Sequence, residues 1–294
     1  MPFVTTDDDI KLFYESVGSG ETIIFVHEFA GDHRSWEPQM RYFGQRYHCI
    51  SFNARGYPPS DVPAGEHYSQ NRARDDIRAV MDVLDVSTAN VIGLSMGGFA
   101  ALHFGFTYPE RTRSLVIAGC GYGAEPDQRK KFADEAQATA SNIETQSMEQ
   151  FAIQYALGPT RVQFQNRDPR GWQEFANQLR EHSTEGSANT MRGVQKSRPS
   201  LYDLQDKIKR ISAPTLIITG DEDWPCLGPA IMMKQAIQTA GLVVMPNAGH
   251  TINLEDPAQF NAHVEYFLHG VDSNSWPHRD PRAMTSNILG GSHS

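Results

Sequence analysis

Gly93-Leu94-Ser95-Met96-Gly97-Gly98 is the stretch that decides the reading of this chain. An apolar, strand-like run, Ala89-Asn90-Val91-Ile92, leads into it. A helix-like run, Phe99-Ala100-Ala101-Leu102-His103-Phe104, leaves it. Gly-x-Ser-x-Gly between a strand and a helix predicts a sharp turn that lifts one serine hydroxyl above the end of a sheet. Such a turn holds the serine backbone in a strained conformation. Gly93 and Gly97, two residues before and after Ser95, let neighbouring chain pass close by. An ordinary glycine-containing loop would also use serine and glycine. The strand before, the helix after and the double glycine favour a nucleophile instead.

The pattern continues in both directions. Residues 10–15 alternate polar and apolar, and Gly18-Ser19-Gly20 reads as a turn. Ile23-Ile24-Phe25-Val26 is a continuous apolar run, as expected of a strand buried on both faces. Cys49-Ile50-Ser51-Phe52 is a further short strand, ending at the loop Asn53-Ala54-Arg55-Gly56-Tyr57-Pro58-Pro59. Residues 75–84 carry apolar side chains at 77, 80, 81 and 84 with Asp75 and Asp76 in front, which predicts a helix opening on its acids. After the serine turn, Ser114-Leu115-Val116-Ile117-Ala118-Gly119 is the next strand. The pattern then changes. Residues 125–205 are polar and helix-like, with scattered Phe132, Met148, Phe151, Tyr155, Trp172 and Phe175 and no buried-strand run. Strands return at 214–220 and 242–245, and residues 257–268 are again helix-like. Strands alternating with helices predict an α/β fold with a mostly parallel sheet, interrupted by a helical insertion.

The 294 residues suffice for one large α/β domain with an insertion, or for two domains. Composition is that of an ordinary globular protein, 39% hydrophobic and 21% charged. Lys+Arg number 26 against 35 Asp+Glu, a formal charge of -9. That balance disfavours nucleic acid and anionic membranes as partners and leaves a small-molecule substrate as the expected one; a homodimer stays open. The N-terminus shows no signal-peptide pattern, and no apolar run approaches membrane-spanning length. Cys49, Cys120 and Cys226 are too few and too scattered for a disulfide framework or a zinc site, so a reducing cytoplasm fits best.

A serine hydroxyl is a poor nucleophile at neutral pH and needs a base, usually a histidine held in one tautomer by a carboxylate. The chain order serine, acid, histidine belongs to this sheet architecture. His250, in Asn247-Ala248-Gly249-His250-Thr251 after the last strand, is the expected base. Asp223, in Thr219-Gly220-Asp221-Glu222-Asp223, is the expected acid, with Asp221 a near rival and Glu125 a distant one. An oxyanion hole needs two backbone N–H groups. Met96, directly after the nucleophile, is assigned one, and Phe29, in the loop His27-Glu28-Phe29-Ala30-Gly31-Asp32, the other.

Together these pieces resemble the α/β-hydrolase fold family, and within it the serine hydrolases with an α-helical cap: carboxylesterases, lactonases and carbon–carbon bond hydrolases. The matching stretches are His27-Glu28-Phe29-Ala30-Gly31, Arg55-Gly56-Tyr57-Pro58-Pro59-Ser60-Asp61, the serine turn, Gly220-Asp221-Glu222-Asp223, and Gly249-His250-Thr251-Ile252-Asn253-Leu254-Glu255-Asp256-Pro257. The resemblance implies an acid three residues after the strand-ending glycine, which is Asp223. It implies that residues 125–205 form a cap on a core of 1–124 and 206–270; residues 271–294, polar with Pro and Gly, read from their composition as a tail expected to be partly disordered. Two departures stand out. Glu28 occupies a place where the family usually has glycine, and a buried carboxylate there needs a partner. It could face solvent, bond Arg55, or line the pocket, and structural pairing is the plainest expectation. Pro58 stands where glycine is common and stiffens that loop. A serine nucleophile speaks against the dehalogenase and epoxide hydrolase branches, which use an aspartate.

Three other patterns are set aside. Gly119-Cys120-Gly121-Tyr122-Gly123-Ala124 looks like a dinucleotide fingerprint, but it follows a late strand and reads as a loop into the insertion. His27-Glu28 begins like a zinc-protease motif, but Gly31 stands where the second histidine would be. Cys226, near Asp223, reads as packed. The expectation is therefore a hydrolase without cofactor or metal. It acts on a small to medium apolar ester, or a lactone or amide, through an acyl-enzyme. Carbon–carbon cleavage of a diketone-like substrate and ligand sensing with little turnover are the alternatives. Which insertion residues touch substrate is not readable from the sequence.

Overall fold

A computed structural model describes residues 2–284. The strand-like runs noted above become strands of one eight-stranded sheet, joined by Phe3–Thr5 at its edge: β1 (Phe3–Thr5), β2 (Lys11–Val17), β3 (Thr22–Val26), β4 (His48–Phe52), β5 (Ala89–Leu94), β6 (Thr112–Ala118), β7 (Thr215–Gly220) and β8 (Ala240–Met245). Their order across the sheet is β1-β2-β4-β3-β5-β6-β7-β8. β1 and β2 are antiparallel at one edge and the other neighbouring pairs are parallel. Both faces of the parallel part are covered, so the central strands β3, β5 and β7 are buried throughout.

Side-chain alternation sorts the core into two layers. Ile24, Val26, Val91, Leu115, Ile117 and Ile217 meet α2 (Gln70–Val83), α3 (Met96–Thr107) and α10 (Trp224–Ala236) on one face. Ile23, Phe25, Ile92, Val116, Leu216 and Ile218 meet α1 (Glu37–Phe43) and α12 (Pro257–Asp272) on the other. Helix α2 begins at Gln70, capped by the Ser69 hydroxyl, so Asp75 and Asp76 are interior residues and not its opening acids. Asp76 is spent on a buried ion pair with Arg55, 2.6 Å away, a tertiary use that its position near a run of apolar residues disguised.

Between β6 and β7 the described chain is helical: α4 (Arg129–Gln146), α5 (Met148–Ala156), α6 (Val162–Arg167), α7 (Pro169–Arg180), α8 (Thr184–Thr190), a π-helical segment Met191–Lys196 and the short α9 (Gln205–Ile208). These helices have a core of their own, with Ala140, Ile143, Ala152, Phe164 and Leu179, and it runs into Phe29, Tyr57 and Met96 of the sheet-end loops. The short α11 (Ile252–Glu255) precedes α12. No helix among the described residues is long and apolar enough to cross a membrane.

Residues 271 and 272 complete α12, and the chain after it is anchored. The Trp276 ring packs edge-on to Phe267 and its indole N–H donates to the Thr239 carbonyl at 2.8 Å. Arg279 donates to the Lys234 and Gln235 carbonyls. The segment expected as a tail from 271 is thus tied to the core through Arg279, by an aromatic and an arginine whose partners lie far back in the sequence. The rest of that segment, residues 285–294, lies outside the described residues.

Candidate active site

Ser95 sits between β5 and α3 with φ 55° and ψ -113°, a conformation that only glycine adopts without strain. The crowding that forces it is measurable. A Cβ on Gly93 would stand 2.1 Å from the Gly97 carbonyl oxygen, and one on Gly97 would stand 2.0 Å from that of Val26. The Ser95 N–H donates to the Ala118 carbonyl at 2.8 Å, which ties the turn to the end of β6. Met96 is the first residue of α3, so its N–H has no acceptor within the helix.

Strand β7 ends at Gly220, and Asp223 follows three residues later, 2% exposed. His250 comes from the loop after β8. A Cβ on Gly220 would stand 2.1 Å from the Ala248 oxygen and 2.2 Å from that of Gly249, so the two loops lie directly against one another. The result is a hydrogen bond of 2.7 Å between Asp223 Oδ2 and His250 Nδ1. Burial disfavours the imidazolium, but the adjacent Asp223 carboxylate outweighs it and holds His250 above the ordinary histidine value. Glu255 fixes the histidine loop by accepting from the N–H groups of Gly249 at 2.6 Å and Thr251 at 2.8 Å. The rival acids are used elsewhere. Asp221 accepts from the Ala248 N–H at 3.1 Å, and Glu125 accepts from the Tyr202 hydroxyl at 2.7 Å.

Asp223, Cys226 and His250 are the group among the described residues whose donor atoms approach within 4.8 Å of one another. Burial and the neighbouring Asp223 charge push the Cys226 thiol well above its usual range, and His250 Nδ1 is engaged by the Asp223 carboxylate.

The loop after β3 is held by its own side chains. Burial pushes His27 down to about 4, so it is neutral. Its Nε2 accepts from the Ala54 N–H at 3.0 Å, which leaves Nδ1 to donate to the Glu28 carbonyl at 2.6 Å. That carbonyl shares a planar peptide with the Phe29 N–H, so fixing one aims the other. The Tyr57 hydroxyl holds the Phe29 carbonyl at 2.9 Å. These supporting roles of His27 and Tyr57 were not read from the sequence.

Glu28 is 1% exposed and is paired, as expected of a buried carboxylate, but not with Arg55. Arg55 is engaged by Asp8 and Asp76. The partner of Glu28 is Arg161, from the turn before α6, at 2.6 Å. Arg161 is fully buried, also donates to the Thr251 and Tyr155 hydroxyls, and faces the rings of Tyr155 and Phe175. Glu28 Oε2 lies 4.0 Å from His250 Nε2, and its Oε1 has no hydrogen-bond partner among the described residues. The demand for a cation was legible in a buried carboxylate, but which arginine would answer it was not.

Ser95, Asp223, His250 and Phe29 line one cavity of about 290 Å³. The rest of its wall comes largely from the insertion: Phe132, Ala136, Phe151, Tyr155, Met191, Gln195 and Arg198. His250 is also tied to the insertion, since its N–H donates to the Thr160 carbonyl.

Known proteins share this architecture. The chain is 26% identical over 263 residues to 3-oxoadipate enol-lactonase 2 of Acinetobacter baylyi, covering 88% of this chain and 94% of that one. It is 25% identical over 271 residues to 2-hydroxy-6-oxo-6-phenylhexa-2,4-dienoate hydrolase of Comamonas testosteroni, covering 88% and 92%. The crystal structure of the enol-lactonase from Burkholderia xenovorans LB400 superposes with a TM-score of 0.79 at 21% identity, over 91% of this chain and all of that one. A family model described as the alpha/beta hydrolase fold matches residues 21–257, and the chain belongs to that family.

Proposed function

We propose that this protein is a serine hydrolase that cleaves a small to medium carboxylic ester or lactone through Ser95, His250 and Asp223. One observation carries the reading: a strained serine at a strand-to-helix turn lines the same cavity as a hydrogen-bonded Asp223–His250 pair. In this mechanism His250 Nε2 takes the Ser95 proton as the oxygen attacks the carbonyl. Asp223 holds Nδ1–H and stabilises the imidazolium. The Phe29 and Met96 N–H groups receive the oxyanion. His250 then protonates the leaving alcohol and activates water to release the acid. The insertion acts as a cap whose phenylalanines contact the body of the substrate. Relatives that include a lactonase and a carbon–carbon hydrolase support hydrolysis. The latter keeps a second reading, cleavage of a carbon–carbon bond beside a carbonyl, where the same residues serve.

A panel of p-nitrophenyl esters of increasing chain length, with Ser95→Ala beside the wild type, tests it. Release by the wild type alone is expected, with an optimum at short acyl chains set by the cavity. Undiminished release by Ser95→Ala refutes the assignment. Inactivity on every ester, with cleavage of a diketone acid, moves the reading to carbon–carbon hydrolysis.

A further inference from the structure

Three arginines are buried among the described residues: Arg55 at 4%, Arg161 at 0% and Arg198 at 3% exposure. Burial works against the charge of all three. For Arg55 and Arg161 adjacent carboxylates more than offset it, and both stay above the ordinary arginine value. Arg198 differs. No carboxylate among the described residues pairs with it. Its guanidinium donates to the Gln195 side-chain oxygen and, at 2.5 Å, to the Tyr122 carbonyl. The Phe99 ring lies 3.7 Å from it and the Phe132 ring 4.9 Å. Among the charges that act on it is a like one, Arg129, which also opposes its protonation. Unrelieved burial draws Arg198 down to about 9, which still leaves it charged at neutral pH.

Its position gives the unpaired charge a use. Arg198 lines the cavity that holds Ser95 and His250. It stacks on Phe99, one helical turn beyond the serine on α3, and follows the π-helical segment that brings Met191 and Gln195 to the same wall. A guanidinium has five N–H groups in a planar fork, and the two neutral acceptors leave part of that fork unused. A buried cation without a counterion is costly, and a ligand that brings the counterion removes the cost.

We infer that Arg198 is the recognition site for a substrate carboxylate, so that the ester or lactone hydrolysed here carries a free carboxylate away from the scissile carbonyl. The inference rests on the cavity being the substrate site and narrows the proposed substrate to one with an apolar body and one anionic end. A monoanionic carboxylate fits better than a phosphate. One guanidinium matches one carboxylate bidentately. Apart from His250, which Asp223 already pairs, a second negative charge would meet no further cation among the described residues of the cavity wall, which instead includes the carboxylates of Asp223 and Glu135. Asp223 is matched by His250, and Glu135 accepts from the Tyr122 hydroxyl at 3.0 Å with Lys131 beside it.

The experiment separates binding from chemistry. Hexanoate and hexanamide have nearly the same shape and differ in charge. Wild type, Arg198→Lys and Arg198→Gln are titrated with each by calorimetry. The wild type is expected to bind hexanoate about tenfold or more tightly than hexanamide, Arg198→Lys to keep part of that preference and Arg198→Gln none. In parallel, kcat/KM is measured for the p-nitrophenyl monoester of glutaric acid and for p-nitrophenyl pentanoate. Arg198→Gln is expected to lower the charged-to-neutral ratio by roughly a hundredfold, through KM. A wild type that does not distinguish the two ligands overturns the inference, whether or not Arg198→Gln folds. So does an Arg198→Gln variant that loses equally on both substrates, the signature of a merely structural arginine. Ligand discrimination without ester turnover would refute the esterase reading and leave the carboxylate site standing.

Discussion

Replacing Arg161 with methionine would leave the Glu28 carboxylate buried, without a cation, 4.0 Å from His250 Nε2. Breaking a buried pair by removing one partner costs about 3–5 kcal/mol of stability, because the other charge stays behind. The active-site consequence is more specific. At 4.0 Å and an effective dielectric of about 20, a carboxylate and an imidazolium attract by about 4 kcal/mol before screening. About 1.4 kcal/mol moves a titration by one pH unit, so a third of that attraction already moves His250 by about one unit. The sign follows from the charges. Arg161 now opposes protonation of His250 and Glu28 favours it. Arg161→Met therefore raises the histidine pKa, and Glu28→Gln, which leaves the guanidinium alone beside the imidazole, lowers it. The base must be neutral to act, so the acid limb of the kcat/KM profile rises through the pKa of His250. In the wild type that limb lies above the ordinary histidine value of about 6.5. It should move to higher pH in Arg161→Met and to lower pH in Glu28→Gln. The double variant should regain most of the lost stability and return the limb toward the wild-type position. Urea melts and pH profiles of the four proteins complete the cycle. Limbs that move in the same direction, or stay in place, would refute the argument that this pair tunes the histidine.

Ser95→Gly should be inactive yet more stable by about 1 kcal/mol, because φ 55° is strained for serine and free for glycine; a lower urea midpoint than wild type contradicts the strain argument. Asp223→Asn should cost on the order of 10³–10⁴ in kcat by disturbing the Nδ1 partner of His250. Asp221→Asn, at a side chain that accepts from the Ala248 N–H and not from His250, should cost less than about tenfold; the opposite ranking in steady-state kinetics removes Asp223 from its role.

Much of the fold was legible because the signals are local. Ile23–Val26 is a continuous apolar run, which a doubly covered sheet demands, and Val91-Ile92 leads in the same way into the serine turn. Gly93 and Gly97 are required by contacts a few residues away and across one strand, so the turn declares itself. Asp223 was favoured by the family resemblance and His250 by its glycine-preceded loop after the last strand, and the structure brings their side chains to a hydrogen bond of 2.7 Å. The misreadings have a common cause. Asp76 looked like a helix-opening acid because its partner Arg55 is 21 residues distant. Residues 271–279 looked like part of a tail because Trp276 packs on Phe267 and reaches Thr239, contacts that no local pattern announces.

The insertion shows the boundary between the two kinds of information. Its helical character is a matter of periodicity and was visible in the residues. Which of its side chains meet Ser95 was not, because several short helices must first pack and only their mutual angles decide what faces the cavity. Arg161 and Arg198 are both arginines in a polar, helix-like region, indistinguishable by composition. Tertiary packing buries both, gives one a carboxylate and leaves the other without one. Backbone strain at the serine turn and the positions of the buried strands follow from short-range sterics and hydrophobic pattern, which sequence carries directly. Charge pairing depends on distances between segments over a hundred residues apart, as between Glu28 and Arg161, and only the folded chain sets those.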